Sequence, residues 1–253
     1  MESSDLVLTE RDGHVLTITI NKPQKRNAVD RELADLLDAA FNELDDDDEL
    51  WCGILTGAGP AFSAGSDLNA AGDYYTERGG EYGIIRRERR TPLIAAVEGF
   101  ALGGGLEIAL ACDLIVAGEN ARFGLPEVRR GLIASCAGLF RGPHALPLNI
   151  AMELAITGEP ITAERAAHFG LVNRVVDDGA ALDEARAMAR VICANGPLAV
   201  ALSRDVVRRT AGFNDPQGWE LTTAAREAVY ASADREEGIA AFFERREPRW
   251  TGK

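Results

Sequence analysis

The chain predicts an α/β fold, because strand, glycine turn and helix follow one another three times in its first half. Ile54-Leu55-Thr56 runs into Gly57. Leu93-Ile94-Ala95-Ala96-Val97 runs into Gly99 ahead of a helix around 105–111, and Leu114-Ile115-Val116 repeats the apolar pattern after it. From about residue 143 onward the pattern turns strongly helical. The 253 residues suit one domain, or a domain with a small appendage. With 46% apolar and 26% charged residues, the composition is that of an ordinary globular protein able to bury a core.

The elements follow in order. Residues 14–20, His-Val-Leu-Thr-Ile-Thr-Ile, are β-branched and alternate late in the run, which predicts a strand. Pro23 and Asn27 make 21–27 a turn or loop. Leu33, Leu36, Leu37, Ala40, Phe41 and Leu44 recur at helical spacing, with Asp30 as N-cap. The acidic run Asp45 to Glu49 is expected in the exit turn as a solvated surface, since negative charge is unfavourable at a helix C-terminus. The run 93–97 suits a strand buried on both faces. Residues 70–91, rich in Gly, Tyr and Arg, read as a loop leading into a short helix, with Arg86, Arg87, Arg89 and Arg90 as solubilising charge. Thr162 caps a short helix that Gly170 ends, and further helices fit 180–194, 197–210 and 217–231. Asn195-Gly196-Pro197 marks the boundary between a core of 1–195 and a helical region of 196–253.

Composition also narrows function. A formal charge of −13 disfavours nucleic acid and anionic membranes as partners. No run approaches the roughly 20 apolar residues of a membrane span. The start, Met1-Glu2-Ser3-Ser4-Asp5, lacks the basic and apolar regions of a secretory signal. Cys52, Cys112, Cys136 and Cys193 form no CxxC pair, so reduced thiols in a cytoplasmic protein are expected. His14, His144 and His168 are scattered, and no metal is expected.

The chemistry concentrates in three glycine turns. Ala61-Phe62-Ser63-Ala64-Gly65-Ser66-Asp67-Leu68 is the first, Ala101-Leu102-Gly103-Gly104-Gly105-Leu106-Glu107 the second, and Phe123-Gly124-Leu125-Pro126-Glu127 the third. Glycine lets a backbone amide approach a ligand closely, and a helix starting after Gly105 adds its N-terminal dipole. Glu107 lies among Leu106, Ile108, Ala109 and Leu110, so partial burial raises its pKa toward working pH. Taken singly, either turn reads equally well as packing, and either glutamate as a surface or capping side chain. Together they suggest an oxyanion pocket with two carboxylates aimed into it, suited to an enolate formed beside a carbonyl.

In combination and order these motifs resemble the crotonase superfamily, and more closely its enoyl-CoA hydratases. Ile94-Ala95-Ala96-Val97-Glu98-Gly99, Cys112-Asp113, Thr157-Gly158, Gly170-Leu171-Val172-Asn173 and the terminal Pro248-Arg249-Trp250 extend the likeness over nearly the whole chain. The resemblance implies a crotonase-type spiral of ββα units with a helical C-terminal region, assembled as a homotrimer or a dimer of trimers. It implies an acyl-CoA thioester substrate and no cofactor beyond that coenzyme A. The amides of Ser66 and Gly104 would form the oxyanion hole. Glu107 would activate water for attack on C3, and Glu127 would deliver the proton to C2. Lys25 and Arg26 would lie near the CoA phosphates, and Ala28, Ala64, Asp67 and Leu68 would hold pantetheine and adenine through the main chain. Arg245, Arg246 and Lys253 are secondary phosphate candidates, or plain surface charge. An isomerase or dehydratase on the same pocket, and a CoA-thioester-binding or RNA-associated relative without catalysis, are the alternatives. Isomerases of this kind manage with one carboxylate, so two favour the hydratase. Ser135 and Cys136 depart from the pattern after Glu127 and bear on substrate shape, with Cys136 read as a packing thiol rather than a nucleophile. Tyr74, Tyr75 and Tyr82 border the acyl chamber or pack a helix or interface.

Overall fold

A computed structural model of the chain describes residues 3–67, 73–210, 224, 227–228 and 231–252. Leu68, Lys253 and most of the expected helix 217–231 lie outside the described residues. A six-stranded sheet runs in the order β1 (Val7–Asp12), β2 (Val15–Ile20), β3 (Cys52–Gly57), β6 (Leu93–Val97), β8 (Leu114–Gly118) and β11 (Arg174–Val176). The β1–β2 hairpin is antiparallel and every later pairing parallel. Between β3 and β6 lies a two-stranded hairpin, β4 (Tyr75–Thr76) and β5 (Gly80–Glu81).

The period of two divides each central strand between two cores. Ile54, Ile94, Ala96 and Val116 face one way, against Ala181, Ala185, Met188 and Ala189 of helix α6 (Ala181–Cys193). Leu55, Ala95, Val97, Ile115 and Ala117 face the other way, into the larger core beneath α1 (Arg31–Asp46). A second, three-stranded sheet joins β7 (Phe100–Leu102), β9 (Arg122–Gly124) and β10 (Ile161–Thr162). The chain passes from the first sheet to the second at Glu98-Gly99. Gly99 has φ +64°, and a Cβ there would overlap the carbonyl oxygen of Pro60. The remaining helices are α2 (Gly104–Ala111), α3 (Gly138–Ala145), α4 (Leu148–Thr157), α5 (Ala163–His168), α7 (Pro197–Thr210) and α8 (Ala233–Glu244). Predicted caps are in place: Asp30 accepts from Leu33 N at 3.1 Å, and Thr162 Oγ1 accepts from Arg165 N at 3.1 Å.

Three expectations are corrected. Asp45 and Asp46 belong to the last turn of α1 rather than to its exit. Arginines offset the unfavourable dipole: Arg87 pairs with Asp45 at 3.0 Å and Arg78 with Asp46 at 2.6 Å. Asp45 is buried, so that part of the run is not a solvated face. The described residues of 70–91 hold the β4–β5 hairpin followed by turns, with no helix. Arg87 and Arg89 in that segment are buried rather than solubilising. Arg87 also pairs with Asp38 at 2.5 Å, and Arg89 with Asp113 at 3.1 Å.

Candidate active site

Strand register gathers the three glycine turns. Ser63 bridges Ala101 in parallel, and Ala101 is in parallel register with Phe123 of β9. Three chain segments therefore start level and leave in the same direction. Three residues on, the first reaches Ser66 and the second Gly104; four residues on, the third reaches Glu127. The site lies beyond the carboxyl ends of parallel strands, where α/β folds open toward ligands.

The first two glycine turns touch. Gly65 has φ +87°, and a Cβ on it would stand 2.5 Å from Gly104 N and 3.0 Å from Leu102 O. Val29 N donates to Gly65 O, and Asp67 N donates to Val29 O, both at 2.8 Å. In an extended segment the amide between those two groups points to the opposite side, so Ser66 N–H is turned away from Val29. Gly104 is the first residue of α2, and the first amides of a helix have no acceptor within it. Two donors and a helix N-terminus thus meet at one opening.

Glu107 is one helical turn further into α2 and is 1% exposed. Its Oε1 accepts from Gly138 N, at the start of α3, at 2.9 Å. Burial is the largest influence and pushes its pKa up to about 7; the charge of Glu127 pushes the same way, against the Gly138 N–H. Glu127 follows Pro126 on a short turn of 3₁₀ helix, and burial raises its pKa too. Its Oε1 lies 3.1 Å from where a Cβ of Gly103 would be. Its Oε2 is buried and accepts no hydrogen bond among the described residues. Two carboxylates that interact electrostatically, one with an acceptor unpartnered among the described residues, flank these turns. Such a pair can hold one proton between them and pass it.

Tyr82 borders this opening. It is 1% exposed, and its hydroxyl lies 2.7 Å from Ser66 Oγ. A Cβ on Gly104 would overlap that hydroxyl. Tyr82 has φ +57°, an unfavourable backbone state for an aromatic residue. Its ring packs on Tyr74 with centroids 4.7 Å apart. Tyr75, by contrast, is half exposed, and Arg86 lies over its ring at 5.8 Å. Cys136 is buried, and burial raises its thiol to about 11, which suits packing and not nucleophilic attack. Tyr82→Phe removes one hydrogen bond, worth about 1 kcal/mol, from the turn carrying Ser66. We expect turnover to fall about five- to tenfold with KM little changed. Steady-state kinetics with both parameters unmoved would remove Tyr82 from the positioning of that turn.

The CoA candidates fall around the first turn. Lys25 and Arg26 are exposed, and Arg26 O accepts from Ala64 N at 2.9 Å. Ala28 and Asp67 sit on the two chains that meet at Val29. The sequence reading missed the group that ties these chains together. Asn27, fully buried at φ +56°, donates to Ala58 O and Ala61 O and accepts from Lys22 N. It also missed the Gly138 amide; a backbone donor has no residue signature, and only the kink at Ala137, φ +81°, aims it. Arg246 is committed to Glu237 and Glu244, at 2.6 and 2.5 Å, while Arg245 is exposed. Among the described residues no group of His, Cys, Asp and Glu is arranged to hold a metal.

Comparison with known proteins gives a consistent result. Residues 10–253 match the enoyl-CoA hydratase/isomerase family model. Enoyl-CoA hydratase EchA19 of Mycobacterium tuberculosis is 39% identical, covering 100% of this chain and 99% of the relative. A carnitinyl-CoA dehydratase of Salmonella arizonae is 40% identical, covering 99% of each. The crystal structure of enoyl-CoA hydratase EchA1 from Mycobacterium marinum superposes with a TM-score of 0.95 at 46% identity, over 98% of this chain and 100% of that one.

Proposed function

The chain belongs to the enoyl-CoA hydratase/isomerase family, and from that premise we propose that it is an enoyl-CoA hydratase, adding water reversibly and syn to a 2-enoyl-CoA. The thioester oxygen accepts from the amides of Ser66 and Gly104. A water held between Glu107 and Glu127 loses a proton to Glu107 as its oxygen bonds to C3. The electron pair of the C2–C3 double bond moves to the thioester oxygen, giving an enolate in the oxyanion hole. Glu127, which carries the pair's one proton at the start, gives it to C2; the product is a 3-hydroxyacyl-CoA, and the proton gained by Glu107 passes back to Glu127 for the next cycle. Run backward, the same steps are a dehydration. The observation that carries the reading is the pair of interacting carboxylates, Glu107 buried and Glu127 half-buried, beside the two glycine turns.

Crotonyl-CoA tests it, because hydration removes the conjugated double bond and its absorbance. Conversion of a 3-enoyl-CoA to the 2-enoyl ester, without water addition, would select the isomerase instead. Binding without either conversion would select a thioester-binding protein. Lys25 and Arg26 supply the cationic contact that polyanionic CoA needs on a chain of charge −13. Arg26→Ala is expected to weaken CoA-ester binding a few-fold at low salt and hardly at all at high salt. Titrations independent of ionic strength would rule that contact out.

The reading also includes a homotrimer or dimer of trimers built through 196–253, with no metal or redox cofactor and a cytoplasmic location. Full activity after chelation, and a solution mass of three or six chains, are the expected results. Among the described residues no helix is long and apolar enough to cross a membrane.

A further inference from the structure

One helical turn beyond Glu107, a cavity of about 720 Å³ is lined by Leu110 of α2, Arg141 and His144 of α3, and Arg204 and Arg208 of α7. Its position follows from the helices. Glu107 on α2 meets Gly138 on α3, and adding three residues to each reaches Leu110 and Arg141. From Gly104 to Leu110 the helix rises about 9 Å, a distance that roughly five to eight acyl carbons cover.

Charge in this cavity is unbalanced. Asp113 is paired with Arg89 at 3.1 Å, Arg204 at 2.9 Å and Arg208 at 3.4 Å, so among the described residues one carboxylate serves three guanidinium groups. Arg141 is a fourth. It donates from Nη2 to Ile85 O at 2.6 Å, and its Nη1 is buried with no partner among the described residues. Burial, and then the charges of Arg208 and Arg89, lower its pKa to about 10; the charge of Glu107 acts the other way. A guanidinium nitrogen buried without a partner is costly, and a chain of net charge −13 has carboxylates to spare elsewhere.

Resting on the hydratase reading, we propose that the acyl group of the substrate ends in a carboxylate, which Arg141 Nη1 receives, with Arg208 at its outer side. The substrate class is then the mono-CoA thioester of an unsaturated dicarboxylic acid. The neutral stretch between reacting carbons and terminal carboxylate ends beside Leu110, the half-buried apolar residue of α2 that lines the cavity.

Binding and turnover test this separately. The probes are saturated mono-CoA thioesters of dicarboxylic acids of five to eight carbons, their methyl esters, and a trimethylammonium-terminated ester of matching length. Calorimetry on the wild-type protein is expected to show one dicarboxylic length bound at least tenfold more tightly than its methyl ester, and the cationic ester bound most weakly. Arg141→Gln is expected to cut that ratio below threefold, and Arg141→Lys to restore part of it. Equal affinity for acid and methyl ester in the wild type overturns the proposal without reference to any variant. Competition by inorganic phosphate with no preference among the esters overturns it too, since the cavity then takes an independent anion. Hydration of crotonyl-CoA with no such preference leaves the hydratase reading intact. Preferential binding with no hydration of any enoyl ester sinks the hydratase reading and keeps the anionic tail.

Discussion

Glu107→Gln and Glu127→Gln should each lower kcat by about 10²–10⁴ while leaving KM for an enoyl-CoA nearly unchanged. The substitution is isosteric and removes a proton-transfer group but little contact area. In Glu107→Gln the side-chain oxygen can still accept from Gly138 N, now 2.9 Å from Glu107 Oε1, so the geometry at α3 persists. In Glu127→Gln an amide takes the place of a half-buried carboxylate whose Oε2 has no donor among the described residues. Because the two groups act on one water, the double variant should be little worse than either single one. Turnover within tenfold of wild type for either variant would end the two-carboxylate mechanism. Loss in one variant only would point to a single base and therefore to isomerisation.

The same pair sets the pH behaviour. Burial raises both folded-state pKa values from the ordinary glutamate value, that of Glu107 to about 7. Between the two titrations the pair carries one proton, the state that can both accept from water and donate to C2, so kcat should follow a bell. Stability moves in a related way. The folded protein holds the Glu107 proton more tightly than the unfolded chain does. Its contribution to stability is then complete below the unfolded pKa and falls away as pH rises through about 7. Glu107→Gln should accordingly stabilise the fold above pH 7, by roughly 2–3 kcal/mol at most. Thermal melts at pH 5 and pH 8 would show the gap opening with pH.

The sequence carried the site further than it carried the framework around it. Glycine turns, capping residues and the long strand at 93–97 have local signatures, and they stand where expected. The three-stranded sheet was not legible. Its strands are two or three residues long, Phe100–Leu102, Arg122–Gly124 and Ile161–Thr162, too short for any period to register. Yet that sheet's register is what brings Ser66, Gly104 and Glu127 together. Burial of Arg87 and Arg89 was hidden for another reason. Their carboxylate partners Asp38, Asp45 and Asp113 are distant in sequence, and an arginine run looks the same whether solvated or paired. The glutamates were legible because an acid inside an apolar helix, or just after a glycine–leucine–proline turn, breaks a pattern that neighbouring residues set.

Gly65→Ala is expected to lower kcat by about 10²–10³ without touching either carboxylate. The glycine sits at φ +87°, where any L side chain is strained, and its added methyl would stand 2.5 Å from the amide nitrogen of Gly104. Since Gly104 opens α2 and Gly65 precedes Ser66, one carbon atom would push apart the two donors proposed to hold the enolate oxygen. The backbone cannot yield easily on either side. Gly65 O is held by Val29 N at 2.8 Å, and Gly65 N by Ser63 Oγ at 3.0 Å. Gly103 N is fixed by Gly124 O at 2.9 Å. The loss should fall on kcat and on affinity for an enolate-like inhibitor in equal measure, while saturated acyl-CoA esters, which develop no oxyanion, bind nearly as before. A Gly65→Ala variant that folds, as its melt and circular dichroism would report, and still turns over normally would place the stabilising donors somewhere other than Ser66 and Gly104.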